Sequence, residues 1–189
     1  MTFRSISTLA FGAAVGLLPL ATQAAEFSVV QNSQSTIAFA YKQMGVGMDG
    51  HFKKFMAQLA FDPAKPANAR VSLDVDVASI DTGFAEGDSE VAGKAWFDAK
   101  TYPKATFSAS SVKALGGNRY EVTGPLTIKG RTQTVTAPTN VTVQGNTAAF
   151  DGAFTIKRAD FAIGEGQWAD FGTVANEIQV KFHIVAGAK

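Results

Sequence analysis

Residues 120–143 read YEVTGPLTIKGRTQTVTAPTNVTV. Val122, Leu126 and Ile128 alternate with Thr123, Thr127 and Lys129, and beyond Lys129-Gly130 the run 135–143 sets Val141 and Val143 between threonine and glutamine. Alternation of apolar and polar residues on either side of a glycine-bearing turn predicts an antiparallel hairpin with one buried face. Gly124-Pro125 interrupts the first strand, and a proline has no N–H to offer a ladder, so a bulge or bend is expected there.

The pattern continues in both directions. In 35–41, Ile37, Phe39 and Tyr41 share one parity and Ala38 and Ala40 the other, and Gly45, Gly47 and Gly50 read as a flexible bend. Phe55, Leu59 and Phe61 then fall on one parity and Phe52 on the other, which a bulge near Lys53-Lys54 would reconcile. In 71–80, Val71, Leu73, Val75 and Val77 alternate with Ser72, Asp74, Asp76 and Ala78. The segment 84–97 has no strand period, and Asp88 as N-cap with helical turns over 89–96 is the expectation, with Trp96-Phe97 packing on the sheet. Strands resume over 105–115, the opening hairpin and 148–158; a glycine-rich connection over 160–172 follows, and 174–185 sets Ile178, Val180, Phe182 and Ile184 against Glu177, Gln179, Lys181 and His183. Eight long alternating strands with one short helical insertion predict an all-β chain forming a single eight-stranded antiparallel barrel. Such a barrel is wide enough to be filled by side chains or to hold one slender ligand.

The N-terminus carries Arg4, an apolar run over 9–20 and then ATQAA. A run this short, broken by Gly12, Gly16 and Pro19, reads as a Sec-type signal peptide over residues 1–24, cleaved after Ala24, rather than as a membrane span. Residues 25–189 then form one exported domain, and the periplasm is the expected location. The signal removes Arg4 and no acid, so 17 Lys and Arg become 16 against 16 Asp and Glu. Near-zero charge excludes nucleic acid as the main partner, which needs a basic footprint. The absence of cysteine excludes disulfides, thiol nucleophiles, cysteine-ligated metals and a lipoprotein anchor.

No constellation in the chain carries catalytic chemistry. Asp74 and Asp76 share a face, but it is the face opposite the apolar residues. His51 and His183 are the only histidines, and His183 shares its parity with polar residues, so no metal site is assigned. An enzyme acting at the barrel mouth would draw on Asp81, Arg158 and Asp160. Structural roles are expected for them instead, Asp81 in a turn and Arg158 in a strand-end ion pair. The remaining feature is the apolar interior. Small residues such as Ala57, Ala60, Ala105 and Ala109 cannot fill it, and many of the fifteen phenylalanines could line a tunnel.

Phe39 and the segments 44–61 (MGVGMDGHFKKFMAQLAF), 76–83 (DVASIDTG), 96–107 (WFDAKTYPKATF), 124–135 (GPLTIKGRTQTV) and 158–164 (RADFAIG) resemble the YceI-like family in matching order. The resemblance implies a lipocalin-like barrel in the periplasm holding a polyisoprenoid or an isoprenoid quinone as ligand, with no cofactor. Many members carry Arg-Asp-x-His-Leu where this chain has Glu86-Gly87-Asp88-Ser89-Glu90-Val91. The stretch 164–170 is similar to a branch found with membrane cytochromes b, which makes such a cytochrome a candidate partner; a homodimer is left open. The expected function is a binding protein, not an enzyme. The expected ligand contacts are Ile37, Phe39, Tyr41, Phe55, Leu59, Phe107, Leu126, Ile128, Phe150, Phe154, Ile178, Val180 and Phe182. The alternative is an accessory module whose barrel is a packed scaffold and whose apolar patch lies near 168–171.

Overall fold

The structure is a computed structural model that describes residues 26–189. The signal peptide expected over 1–24 therefore lies outside the described residues. The strands are β1 (Phe27–Val30), β2 (Thr36–Gln43), β3 (Val46–Phe52), β4 (Phe55–Ala60), β5 (Arg70–Asp76) and β6 (Ile80–Asp81). After helix α1 (Ala85–Ala92) come β7 (Lys104–Ser108), β8 (Ser111–Gly116), β9 (Arg119–Ile128), β10 (Arg131–Gln144), β11 (Thr147–Lys157) and β12 (Glu177–Ala188). They form one antiparallel sheet in the order β4-β5-β7-β9-β10-β11-β12-β2-β3-β6, with β1 on β12 and β8 on β9. The sheet curls into a barrel-like shape. Its ends meet where the Lys53 N–H donates to the Ser79 carbonyl at 3.0 Å and the Asp76 N–H to the Lys54 carbonyl at 3.1 Å.

Twelve strands stand where eight long ones were expected, because three long runs are interrupted and the short β1 lies outside that count. β3 and β4 are separated by Lys53-Lys54, β5 and β6 by the turn Val77–Ser79, and β7 and β8 by Ala109-Ser110. The first interruption reconciles the parities of Phe52 and Leu59 as anticipated. The anticipated bulge at Gly124-Pro125 is instead in the neighbouring strands. β9 is continuous, while β7 pairs with it at Leu126 and Thr127 and β8 from Thr123 onward. The Ser108 carbonyl turns into the space where a Cβ of Gly124 would lie, and the Ser110 N–H bonds the Thr123 carbonyl at 2.8 Å.

The opening hairpin is as expected. Its register runs from Arg131 opposite Ile128 to Asn140 opposite Arg119, and Lys129 (φ 49°) and Gly130 (φ 71°) make a two-residue turn whose twist matches the strands. The bend expected over Gly45, Gly47 and Gly50 is instead a second hairpin: Met44-Gly45 form the turn, and Gly47 and Gly50 lie inside β3. Gly50 is there for closeness. A Cβ would meet the Phe39 ring and lie 2.6 Å from the Asp81 carbonyl oxygen, whereas at Gly47 it would meet nothing within 4 Å. Gly50→Val is accordingly expected to cost about 1–3 kcal/mol by overpacking against backbone, with Gly47→Val nearly neutral. Equal urea midpoints for the two variants would refute this account.

The helix begins four residues earlier than the expected 89–96 and ends at Gly93. Asp88 is not its N-cap. Its carboxylate looks outward from the helix and accepts the Thr82 N–H and hydroxyl, each at 2.7 Å, tying α1 to β6. The expected packing of Trp96 and Phe97 is present, both belonging to the main core with Phe161, Ile163 and Val174. A second cluster closes the opposite end, where Phe61 meets Tyr120 and Phe150 edge-on at 5.2 Å each. Of the last expected run, only Glu177–Ala188 is strand; Val174 makes an isolated bridge to Gln43.

Candidate functional site

Because successive side chains of a strand point to opposite faces, the curl of the sheet gathers one parity of every long strand around a common interior. The result is a cavity of about 520 Å³ with a predominantly apolar wall, within the range of small-molecule sites. β2 supplies Ile37, Phe39 and Tyr41; β4 supplies Leu59; β7 supplies Phe107. β9 adds Leu126 and Ile128, β11 adds Phe150 and Phe154, and β12 adds Ile178, Val180 and Phe182. Ala57 and Ala105 also line the wall, their small side chains leaving space that larger ones would fill.

Phe55 is the exception among the residues expected on the wall. It packs against the main core without lining the cavity. It is the first residue of β4 after the break at Lys53-Lys54, and parity there does not fix which part of the interior a side chain reaches.

One part of the site was not anticipated. Thr82, Phe84, Glu86, Gly87, Glu90 and Val91 line the cavity at the α1 end, joined by Trp96, Phe97, Ile163, Trp168 and Val174. Residues 86, 87, 90 and 91 have the three- and four-residue spacing of one helical face, and that spacing was the available signal. This end is held by polar contacts. Trp168 Nε1 donates to Glu90 Oε1 at 2.6 Å. The Gly164 and Glu165 N–H groups share the Ala95 carbonyl at 2.9 and 2.8 Å. The Lys129 ammonium reaches the carbonyls of Lys94 at 2.9 Å and Ala162 at 2.7 Å and the Glu165 carboxylate at 2.9 Å. That ammonium holds the Glu165 carboxyl below the usual carboxylate range.

Arg158 is the deepest charged group, 1% exposed, and it is not the strand-end ion pair expected of it. Its guanidinium donates to six backbone carbonyls: Ile163 at 2.9 Å, Gly164 at 2.8 Å, Trp168 at 2.7 Å, Val174 at 2.9 Å, Ala175 at 3.3 Å and Asp170 at 3.5 Å. It also lies 5.6 Å from the Trp96 ring centroid and 5.0 Å from that of Phe171. Burial pushes its pKa down, and the Asp170 charge opposes that shift. Bonds from the Gly172 N–H and the Thr173 hydroxyl hold the Asp170 carboxyl low.

The three candidates for mouth chemistry are not brought together on the wall. Arg158 lines the cavity; Asp81 and Asp160 do not. Asp81 accepts the Gly83 N–H at 2.9 Å, the turn role expected of it, and pairs with Lys53 at 2.9 Å, contacts that lower its pKa. His183 is half-exposed and bonds Asp151 at 2.6 Å across the outer face. Asp74 is likewise on the outer face, paired with Lys104 at 3.0 Å. Burial raises the pKa of the Tyr41 phenol.

The same architecture occurs in the crystal structure of Burkholderia cenocepacia BcnA, 51% identical, with a TM-score of 0.81 over 83% of this chain and 99% of that one. A polyisoprenoid binding domain from Saccharophagus degradans shares the fold at a TM-score of 0.67 and 17% identity, over 87% of this chain and 99% of that one. A UPF0312 protein of Yersinia pestis (strain Pestoides F) is 32% identical over 165 residues, 83% of each chain. Residues 29–186 match the model of the YceI-like domain, and the chain belongs to that family.

Proposed function

We propose that this protein is a periplasmic carrier that sequesters an amphiphile with a long isoprenoid tail, a polyisoprenoid or an isoprenoid quinone, and performs no chemistry on it. The observation that carries this reading is the apolar cavity enclosed by the curled sheet. Each methylene moved into it from water contributes about 0.8 kcal/mol, so a branched chain gains affinity along its whole length without a specific polar contact. Membership of a family in which a structural relative is described as a polyisoprenoid binding domain agrees with this choice of tail. The periplasmic location rests on the leader-like composition of residues 1–24. The ligand contacts are the lining residues named above, from Ile37 of β2 to Phe182 of β12.

The test is organic extraction and mass spectrometry of the mature protein purified from its native periplasm without detergent. A prenyl species at near-equal molar ratio is the expected result, and its mass gives tail and head together. Protein that is empty in repeated preparations would overturn the carrier reading and leave the alternative of an accessory module that docks a membrane cytochrome b.

A further inference from the structure

The two ends of the cavity differ in how they are closed. Phe27, Phe61, Tyr120 and Phe150, all buried, pack across the end opposite α1. Of the residues on the wall, the exposed ones are Gln58 on β4 and three at the α1 end, Phe84, Glu86 and Glu90. At that end Gln43 of β2 and Trp168 also reach the cavity. Gln43 bridges Val174, and the Met44 N–H donates to the Thr173 carbonyl at 2.9 Å, so the tip of β2 and the segment 159–176 form one continuous rim. The mouth of the cavity is bounded by this rim and by α1.

Among the described residues a single side-chain hydrogen bond joins α1 to the rim, from Trp168 Nε1 to Glu90 Oε1 at 2.6 Å. The other side-chain bonds of α1 run from Thr82, at its own root, to Asp88. With eight residues and none of them buried, the helix is too short to be held by its own backbone bonds and depends on such ties. The backbone of Trp168 is fixed, because its carbonyl accepts an Arg158 Nη2 hydrogen at 2.7 Å. Its indole is half-buried, 5.5 Å from the ring of Trp96, and its neighbours Gln167 and Ala169 are exposed. A ring on a fixed backbone can change rotamer without disturbing the cage around Arg158. Resting on the carrier reading above, we propose that Trp168 is the gate of the cavity and Glu90 its latch. The indole closes the mouth while it is bonded to Glu90 and swings out, as α1 yields, to let a chain pass.

The chain has no cysteine, so a pair introduced as Glu90→Cys with Trp168→Cys can be bridged by a short bis-maleimide without competing sites. Delipidated mature protein is offered a prenyl quinone of one tail length from detergent micelles, and the bound chain is counted over time by mass spectrometry. Before bridging, the pair should load and release at least about tenfold faster than the parent. Bridged while empty it should stay empty, and bridged after loading it should keep its chain. Glu90→Ala alone should speed loading and release alike, by about fivefold, whereas losing a mere wall contact would speed release only. Glu90→Gln, whose amide oxygen still accepts the indole N–H, should exchange at close to the parental rate. Loading of the bridged pair at the unbridged rate would overturn the proposal and place entry elsewhere, past Gln58. Faster release without faster loading in Glu90→Ala would overturn it too, leaving Glu90 as a ligand contact. A parent protein that takes up no chain at all defeats the carrier reading, and the gate with it.

Discussion

Arg158→Met is expected to lower the unfolding free energy by about 3–5 kcal/mol, against a total of roughly 5–15 for a domain of ordinary stability. The stem of methionine keeps much of the packing of arginine but supplies no donors. Six carbonyls of the segment between β11 and β12 then lose their shared partner, and Ile163, Gly164, Trp168 and Val174 lose contacts of 2.7–2.9 Å. Arg158→Lys should recover only part of the loss, since an ammonium offers three donors from a point rather than five from a fork. The damage should also be local before it is global. Hydrogen exchange should speed first in the 159–176 segment and in α1, which the segment holds through Trp168 and Glu90, and only later in β9 and β10. A urea midpoint for Arg158→Met that puts its stability within about 1 kcal/mol of the parent would show that the carbonyls find water or other partners.

That cage was illegible in the sequence for a simple reason. A carbonyl is common to every residue, so nothing in the composition of 160–176 announces six of them converging on one guanidinium. The strands were legible because burial on one face imposes a two-residue period, and a slip of one residue would turn Leu126 and Ile128 outward. The cavity wall follows from the same period, which is why residues of one parity from β2, β9, β11 and β12 line it. Parity failed where the chain leaves its ladder, at Phe55 beside the Lys53-Lys54 break and at the Gly124-Pro125 irregularity, which falls in the strands opposite. The helix was mislocated because Asp88 has the chemistry of an N-cap but gives its carboxylate to Thr82 instead. With the helix drawn over 89–96, the face carrying Glu86, Gly87, Glu90 and Val91 was lost, and with it the polar end of the site.

Phe154→Asp is expected to abolish retention of a prenyl ligand while leaving a folded, secreted protein. Phe154 lies on the inner parity of β11, opposite Val180, and both line the cavity. A carboxylate there stands on an apolar wall on which the basic residue, Arg158, has its donors engaged elsewhere. To remain charged it must draw water into the cavity, and each methylene it keeps wet forfeits about 0.8 kcal/mol of binding. Three or more such methylenes would reduce affinity by well over about tenfold. Stability should suffer less than affinity. Phe154 is partly rather than fully buried and lies outside the fully enclosed core, and water entering an already open cavity can solvate the new charge. Phe154→Leu, which stays apolar, should bind with little loss, so the pair of variants separates charge from volume. Extraction that recovers as much lipid from Phe154→Asp as from the parent would mean that the tail does not pass this position. In that case the ligand occupies only the α1 end, between Trp96 and the helix.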